Sequence, residues 1–255
     1  MLRFYYIIAI SIPVIIYYAA LATYYYKHEE KYDESACYKL AQRIISSLMR
    51  RGRIKTVSYG AENIPKEGGY IMYANHQGKF DALGIIAEHR DPCSVLMDEE
   101  RSKVFFTDQV VNLVRGKRLK RHDFKQQLQV LNELSSEVKN GRKFIYFPEG
   151  GYENNGNLLQ DFRPGAFKCA KNAKCPIVPV AICDSYVAFD FNSLRKTTAQ
   201  IAFLEPIYYE EYGTMTTAEI SAMVKQRIEN EIVQLQEKRG EKGFNSWLFN
   251  KVSIG

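Results

Sequence analysis

Residues 4–26 read FYYIIAISIPVIIYYAALATYYY, 23 positions without a charged side chain. At about 1.5 Å per residue, a helix of that length exceeds the ~30 Å hydrocarbon core of a bilayer, so the segment can span one. Tyrosines at both ends (Tyr5 and Tyr6; Tyr24, Tyr25 and Tyr26) suit the headgroup level, and Pro13 is tolerable in a membrane helix, which it would bend. A cleaved signal peptide is the alternative, because Arg3 gives a basic start and Ala20, Leu21 and Ala22 have the small-x-small form of a cleavage site. The expected organisation is an anchor over residues 1–30, an amphipathic basic helix over 31–53 and one globular domain over 54–255.

The second unit rests on periodicity. Over residues 36–51, Cys37, Leu40, Ala41, Ile44, Ile45 and Leu48 recur at helical spacing, while Lys39, Arg43, Arg50, Arg51 and Arg53 lie around or just past that face. Such a helix can rest on an anionic membrane surface with its cations at the headgroups, or pack its apolar face on a domain core. Basic residues downstream of the anchor favour a cytoplasmic body, although Arg3 competes.

Beyond residue 53 short β-rich runs alternate with helical periods and no linker or repeat intervenes. The patterns predict strands over 54–59, 70–74, 94–97, 143–147, 177–182 and 200–204, and helices over 82–88, 101–114, 124–139, 166–173 and 217–238. Thr216 and Glu219 have capping-box spacing at the start of the last helix. Near-continuous apolar strands such as IVPVAI, separated by helices, predict an α/β fold with a mostly parallel sheet covered on both faces. Chemistry in such sheets collects beyond the strand ends. With 46% hydrophobic and 25% charged residues, composition excludes disorder, collagen and a disulfide scaffold. Five cysteines (Cys37, Cys93, Cys169, Cys175, Cys183) without a C-x-x-C pair indicate reduced thiols. The net charge of +6 is too mild to name a partner.

Three stretches can carry chemistry. In YIMYANHQGKFDALGII a strand runs into Asn75 and His76, with Asp81 five residues on. A neutral imidazole can take a proton from an alcohol near pH 7, and a carboxylate on its other nitrogen fixes the tautomer and stabilises the imidazolium. Five residues apart on a regular helix would not share a face, so a loop must fold between them, with Gly78 giving it freedom. The plain alternative is that Asp81 caps the next helix and His76 satisfies a buried carbonyl. In KFIYFPEGGYENNGN a buried strand delivers Glu149 beside Gly150 and Gly151, placing a carboxylate or merely a tight turn at a strand end. In RGKRLKRHDFK, Arg115, Lys117, Arg118, Lys120, Arg121 and Lys125 set six cations in eleven residues against Asp123, suited to a phosphate or to a solvated or headgroup-binding face. No groove-reading motif accompanies them, so nucleic acid is not an expected partner. The chain also lacks a nucleophile elbow, a phosphate loop, a dinucleotide fingerprint and H-E-x-x-H; Ser193 and Lys196 form an isolated S-x-x-K. None of the four histidines (His28, His76, His89, His122) stands at metal-ligand spacing to another, so no metal is expected.

In combination these stretches resemble the glycerophosphate and lysophosphatidate acyltransferase family, the 1-acyl-sn-glycerol-3-phosphate acyltransferases in particular. GAENIPKEGGYIMYANHQGKFDALG is similar to the family's entry strands and N-H-x-x-x-x-D block, here Asn75, His76 and Asp81; GKRLKR to its second block, with Gly116 and Arg121 in place. FPEG fits the third and FRPGAFKCAKNAKCPIVPVAI the region ending in the fourth, with Pro179 at the fixed proline; AQIAFLEPI resembles a late strand. Gly78 stands where a serine is usual, and Gly151 and Tyr152 where Thr and Arg are common; Lys117, Arg118 or Lys120 could replace that lost charge.

The resemblance implies transfer of a fatty acyl group from acyl-CoA or acyl carrier protein to a glycerophosphate hydroxyl, without cofactor, metal or covalent acyl-enzyme. His76 would deprotonate the hydroxyl, Asp81 orient His76, and Arg121 with neighbouring cations hold the phosphate. Glu149, itself an anion, would position Arg121 or the acceptor's hydroxyl. Gly150 and Pro179 would belong to the substrate site. The implied partners are the bilayer, a lysophospholipid acceptor and the acyl donor, with the domain on the cytoplasmic side. The rivals are a membrane-bound thioesterase or lipid hydrolase, an acyltransferase for another lysophospholipid or for glycerol 3-phosphate, and a non-catalytic lipid tether.

Overall fold

The structure, a computed structural model, describes residues 2–103, 106–153, 155–189 and 191–242. Its strands are β1 (Ile54–Tyr59), β2 (Ile71–Ala74), β3 (Ser94–Asp98), β4 (Lys117–Leu119), β5 (Phe144–Tyr146), β6 (Ile177–Cys183) and β7 (Thr197–Phe203). They form one sheet in the order β1-β7-β6-β2-β5-β3-β4. Every neighbouring pair is parallel except β6 with β7, which run antiparallel from Val180 opposite Phe203 to Cys183 opposite Gln200. The helices are α1 (Leu2–Lys27), α2 (Glu34–Gly52), α3 (Asp81–Glu88), α4 (Glu99–Ser102), α5 (Thr107–Leu113), α6 (Phe124–Lys139), α7 (Lys168–Ala173), α8 (Tyr209–Tyr212) and α9 (Thr217–Lys242).

Strand alternation sorts the core into two layers. Met72, Ala74, Val178, Val180 and Ile182 face the layer of α2, α3 and α5, whereas Ile71, Tyr73, Ile177, Ala181 and Cys183 face α6, α7 and α9. On α9 the buried stripe is Ile220, Val224, Ile228, Ile232 and Leu235, at helical spacing. Both sheet faces are therefore covered, and the mostly parallel α/β arrangement matches the sequence expectation.

Some boundaries differ. The helix expected over 101–114 is divided into α4 and α5, with Phe106 at φ 72° ahead of α5; residues 104 and 105 fall outside the described ones. The C-terminal part of the expected domain, residues 243–255, is also outside them. The strand β4 was not expected, because KRL carries no apolar run. A 3-10 turn at Pro164–Phe167 precedes α7, shortening the helix expected over 166–173.

The N-terminal helix is long and apolar enough to cross a bilayer, and it lies along the domain. Arg3, Ile7, Ser11, Ile15 and Ala22 are buried on it, and Tyr18, Leu21 and Tyr25 pack against the core beneath α2 and α5. Arg3, fully buried, donates to the carbonyls of Val187 (3.2 Å), Ala188 (3.3 Å) and Arg195. Cleavage after Ala22 would strip all of these contacts but that of Tyr25 from the fold. The outward face carries Tyr5, Tyr6, Ile8, Ile12, Ile16 and Tyr17. In α2, capped by the Asp33 carboxylate on the Ala36 N–H at 2.7 Å, the apolar face packs on the core while Lys39, Arg43 and Arg50 point outward.

Candidate active site

At the carboxyl end of β2 the chain leaves the sheet through Asn75. Its side chain accepts from the Ile182 N–H (2.8 Å) and donates to the Ile182 carbonyl (3.0 Å), fastening β2 to β6 where their ladder ends. Asn75 is a staple that fixes the departure point of the next residue, His76.

His76 Nδ1 lies 2.6 Å from Asp81 Oδ2. An ionised carboxylate can only accept, so Nδ1 carries the proton and Nε2 is left as the acceptor. The same oxygen receives the N–H groups of Gln77 (2.5 Å) and Gly78 (2.9 Å), and Oδ1 receives the Ser185 hydroxyl. Asp81 opens α3, so its carboxylate also sits at the positive end of that helix. The capping alternative weighed in the sequence does not hold: Phe80 occupies the N-cap with no side-chain cap bond, and the Asp81 carboxylate bonds His76 and the loop before the helix. Asp81's side chain is fully buried and that of His76 is 17% exposed, with its ring stacked on Phe147 at 4.3 Å and edged by Tyr152 at 4.7 Å.

Glu149 follows β5 and is buried. Its Oε1 accepts the backbone N–H of His76 at 3.0 Å. The expectation that it positions Arg121 is thereby corrected: it holds the His76 main chain instead. The other oxygen, Oε2, is buried without a hydrogen-bond partner among the described residues. Burial pushes the carboxyl up to about 7, helped by the nearby Asp81 charge and opposed by the His76 N–H and by Gln160. Gly150 adopts φ 73°, and a Cβ there would lie 2.5 Å from the Arg163 guanidinium carbon. Glycine therefore serves both the left-handed turn and the close passage of Arg163.

The basic loop is placed differently from its expected role. Lys117 pairs with Glu133 (3.1 Å) and Glu137 (2.6 Å) on α6. Arg118 pairs with Asp108 (2.8 Å) and bonds Asn112 and Ser102. Both are engaged inside the fold, which corrects the view of them as substitutes for a missing phosphate ligand. Arg121 is 56% exposed and 3.6 Å from Asp98, and it follows β4, which stands three strands from β2, or about 14 Å at ~4.8 Å per strand. Lys120 is exposed. Closer to His76 are two arginines not singled out in the sequence. Arg101 lies over the Tyr152 ring at 5.2 Å, and Arg163 crosses Gly150. Pro179 lies within buried β6, opposite Tyr73, and its carbonyl accepts from the Leu204 N–H, a place in the sheet rather than in the cleft beyond it. At Gly116, a Cβ would meet Val111 at 2.7 Å, so this glycine serves packing.

The chain has relatives among known proteins. Residues 55–183 match the model of the Acyltransferase family. The 1-acyl-sn-glycerol-3-phosphate acyltransferase of Escherichia coli is 26% identical over 176 residues, covering 69% of this chain and 71% of that protein. The Saccharomyces cerevisiae protein of the same name is 28% identical over 188 residues, covering 72% and 61%. In fold, the chain is similar to the crystal structure of the 1-acyl-sn-glycerophosphate (LPA) acyltransferase PlsC from Thermotoga maritima, with a TM-score of 0.74, 20% identity and coverage of 92% and 96%.

Proposed function

The chain belongs to the Acyltransferase family and is an acyltransferase of phospholipid synthesis; we propose that it acylates the free hydroxyl of 1-acyl-sn-glycerol 3-phosphate, giving phosphatidic acid. The observation that carries the mechanism is the His76 ring, fixed at Nδ1 by buried Asp81 and open at its other edge between Phe147 and Tyr152. Nε2 takes the hydroxyl proton as the oxygen attacks the thioester carbonyl of acyl-CoA or acyl carrier protein. The tetrahedral intermediate then collapses, re-forming the carbonyl as the C–S bond breaks; the thiolate leaves and takes the proton from His76. Asp81 stabilises the imidazolium formed between these steps. No side-chain nucleophile, metal or cofactor enters.

Arg163 and Arg101 are the cations best placed to hold the acceptor phosphate, with Arg121 at the outer edge. The apolar outer face of α1 and the outward cations of α2 suit a membrane surface, from which the amphiphilic acceptor would be drawn. Acyl thioesters are cytoplasmic, so the domain belongs on that side; surface labelling from outside the cell should leave it unmodified.

The deciding experiment is an acceptor panel on purified full-length protein in detergent, with one labelled acyl-CoA. Lysophosphatidate should outrun glycerol 3-phosphate and lysophospholipids whose phosphate is esterified. Thiol release at full rate without any acceptor would instead make the protein a thioesterase. Arg163→Gln should raise the acceptor KM about tenfold with kcat little changed, the signature of lost uniform binding. Arg118→Gln should leave KM alone and lower Tm, because it removes the Asp108 pair and the bonds to Ser102 and Asn112.

A further inference from the structure

Behind the Asp81 carboxylate runs a chain of polar side chains that the proposed chemistry does not use. Ser185, at 1% exposure, opens a 3-10 turn (Ser185–Ala188) just past the end of β6. Its hydroxyl lies within bonding distance of Asp81 Oδ1 and of Gln77 Oε1, the latter at 3.0 Å. One hydroxyl has one proton, and the charged acceptor takes it. Gln77 Oε1 then keeps the Ser185 N–H at 3.0 Å, while Gln77 Nε2 donates to Asn157 at 2.8 Å. Asn157 in turn accepts from the Asp184 N–H and donates to the Asp184 carboxylate, both at 2.9 Å. That carboxylate, fully buried, meets Arg239 of α9 at 2.7 Å.

Two features give this chain a purpose beyond filling space. Among the described residues Ser185 is the one donor to Asp81 Oδ1; without it the carboxylate is held at Oδ2 alone and its other oxygen is left unanchored. Asp184 adopts φ 63°, a left-handed conformation that aspartate enters more readily than most residues and that its hydrogen bonds hold here. Asn157 and Arg239 hold it from one side. From the other, Arg3 of α1 ties down the carbonyls of Val187 and Ala188 in the same turn.

We propose that Ser185 is a positioning residue for the His76–Asp81 couple, and that its turn, clamped between Arg3 and the Asp184–Arg239 pair, fastens the first and last described helices to the catalytic carboxylate. The inference rests on the reading of His76 as general base. It makes α1 part of the catalytic support as well as an anchor.

The test uses full-length protein in detergent with acyl-CoA and a short-chain, water-soluble lysophosphatidate, so that membrane access drops out. The groups facing His76 are Asp81, Glu149 through the backbone N–H, Phe147 and Tyr152, with Arg101 behind Tyr152 and Arg163 across Gly150. Ser185→Ala leaves all of them in place. It should lower kcat about tenfold or more with the acceptor KM unchanged, as misplacement of a base does. The acid limb of the kcat–pH profile should move to higher pH, because a carboxylate with one donor fewer attracts the protonated ring more strongly. Ser185→Thr should restore both. Arg3→Gln should move the limb in the same direction even on the soluble acceptor, where an anchor alone is dispensable. A wild-type kcat and limb in Ser185→Ala would overturn the proposal. So would a loss that merely follows the folded fraction by circular dichroism with the limb unmoved. Wild-type behaviour of Arg3→Gln would remove α1 from it. Should His76→Ala retain activity, the underlying mechanism fails; should His76→Ala be inactive and Ser185→Ala normal, this inference alone fails.

Discussion

His76→Ala should lower kcat for lysophosphatidate acylation by about a thousandfold, within the 10²–10⁴ range that general-base catalysis supplies, and leave the KM values nearly unchanged. The ring is not a structural support. It is partly exposed, it stacks on Phe147, and the backbone N–H that Glu149 holds is retained by alanine. The far-ultraviolet circular dichroism spectrum and Tm should therefore stay close to wild type. Asp81→Asn should be nearly as damaging to turnover for a different reason. An amide at that position accepts with one atom only, yet four donors converge there: the His76 ring, two main-chain N–H groups and Ser185. With the NH₂ group at the Oδ1 place Ser185 would lose its acceptor, and at the Oδ2 place the other three donors would, so Asp81→Asn should also lose stability by about 1–3 kcal/mol. The pair separates the rival readings. A passive lipid tether would be indifferent to His76→Ala, and a hydrolase would lose water-dependent thiol release in step with it. Unchanged lipid product from His76→Ala would end the general-base account.

Much of the sheet was legible because its central strands are continuous apolar runs: β2, β5 and β6 are buried on both sides and read as such. What failed was short or long-range. The three residues of β4 hide among cations, and the reversal of β7 against β6 depends on which neighbour a strand finds, a choice its own sequence does not record. The same split governs the site. His76 and Asp81 are five residues apart and flank one loop, so their partnership follows from local spacing. Glu149 reaches His76 across 73 positions, and Ser185 reaches Asp81 across 104, so neither pairing had a local signal. The general rule that chemistry gathers past strand ends would have pointed to Asp184 and Ser185, which directly follow β6. For the cations, sequence density misled. Lys117 and Arg118 sit in the most basic run of the chain, yet acids on α5 and α6 consume both, whereas isolated Arg101 and Arg163 border the ring and its loop.

Glu149→Gln should make the protein more stable and less active, both effects growing with pH. In the folded protein burial raises the carboxyl from its ordinary 4.5 to about 7. Between those values the native state binds more protons than the unfolded chain, so stability falls as pH rises, and above about 7 the full cost of the buried charge is present. A displacement of that size corresponds to about 3 kcal/mol. Glutamine removes the ionisation and keeps an oxygen for the His76 N–H. At pH 8 Glu149→Gln should therefore raise Tm by several degrees, whereas at pH 4.5 the two proteins should melt alike. Turnover should respond the other way. Above pH 7 the carboxylate puts a negative charge on the main-chain N–H of the residue whose ring becomes an imidazolium. Losing that charge should cut kcat about tenfold at pH 8 and much less at pH 6, where Glu149 is already protonated. Melting curves at three pH values and a kcat profile check the two halves independently. A stability gain without a loss of turnover would make Glu149 a purely structural support of the His76 main chain. Equal melting at pH 8 would mean that the carboxyl is not held in its neutral form at all.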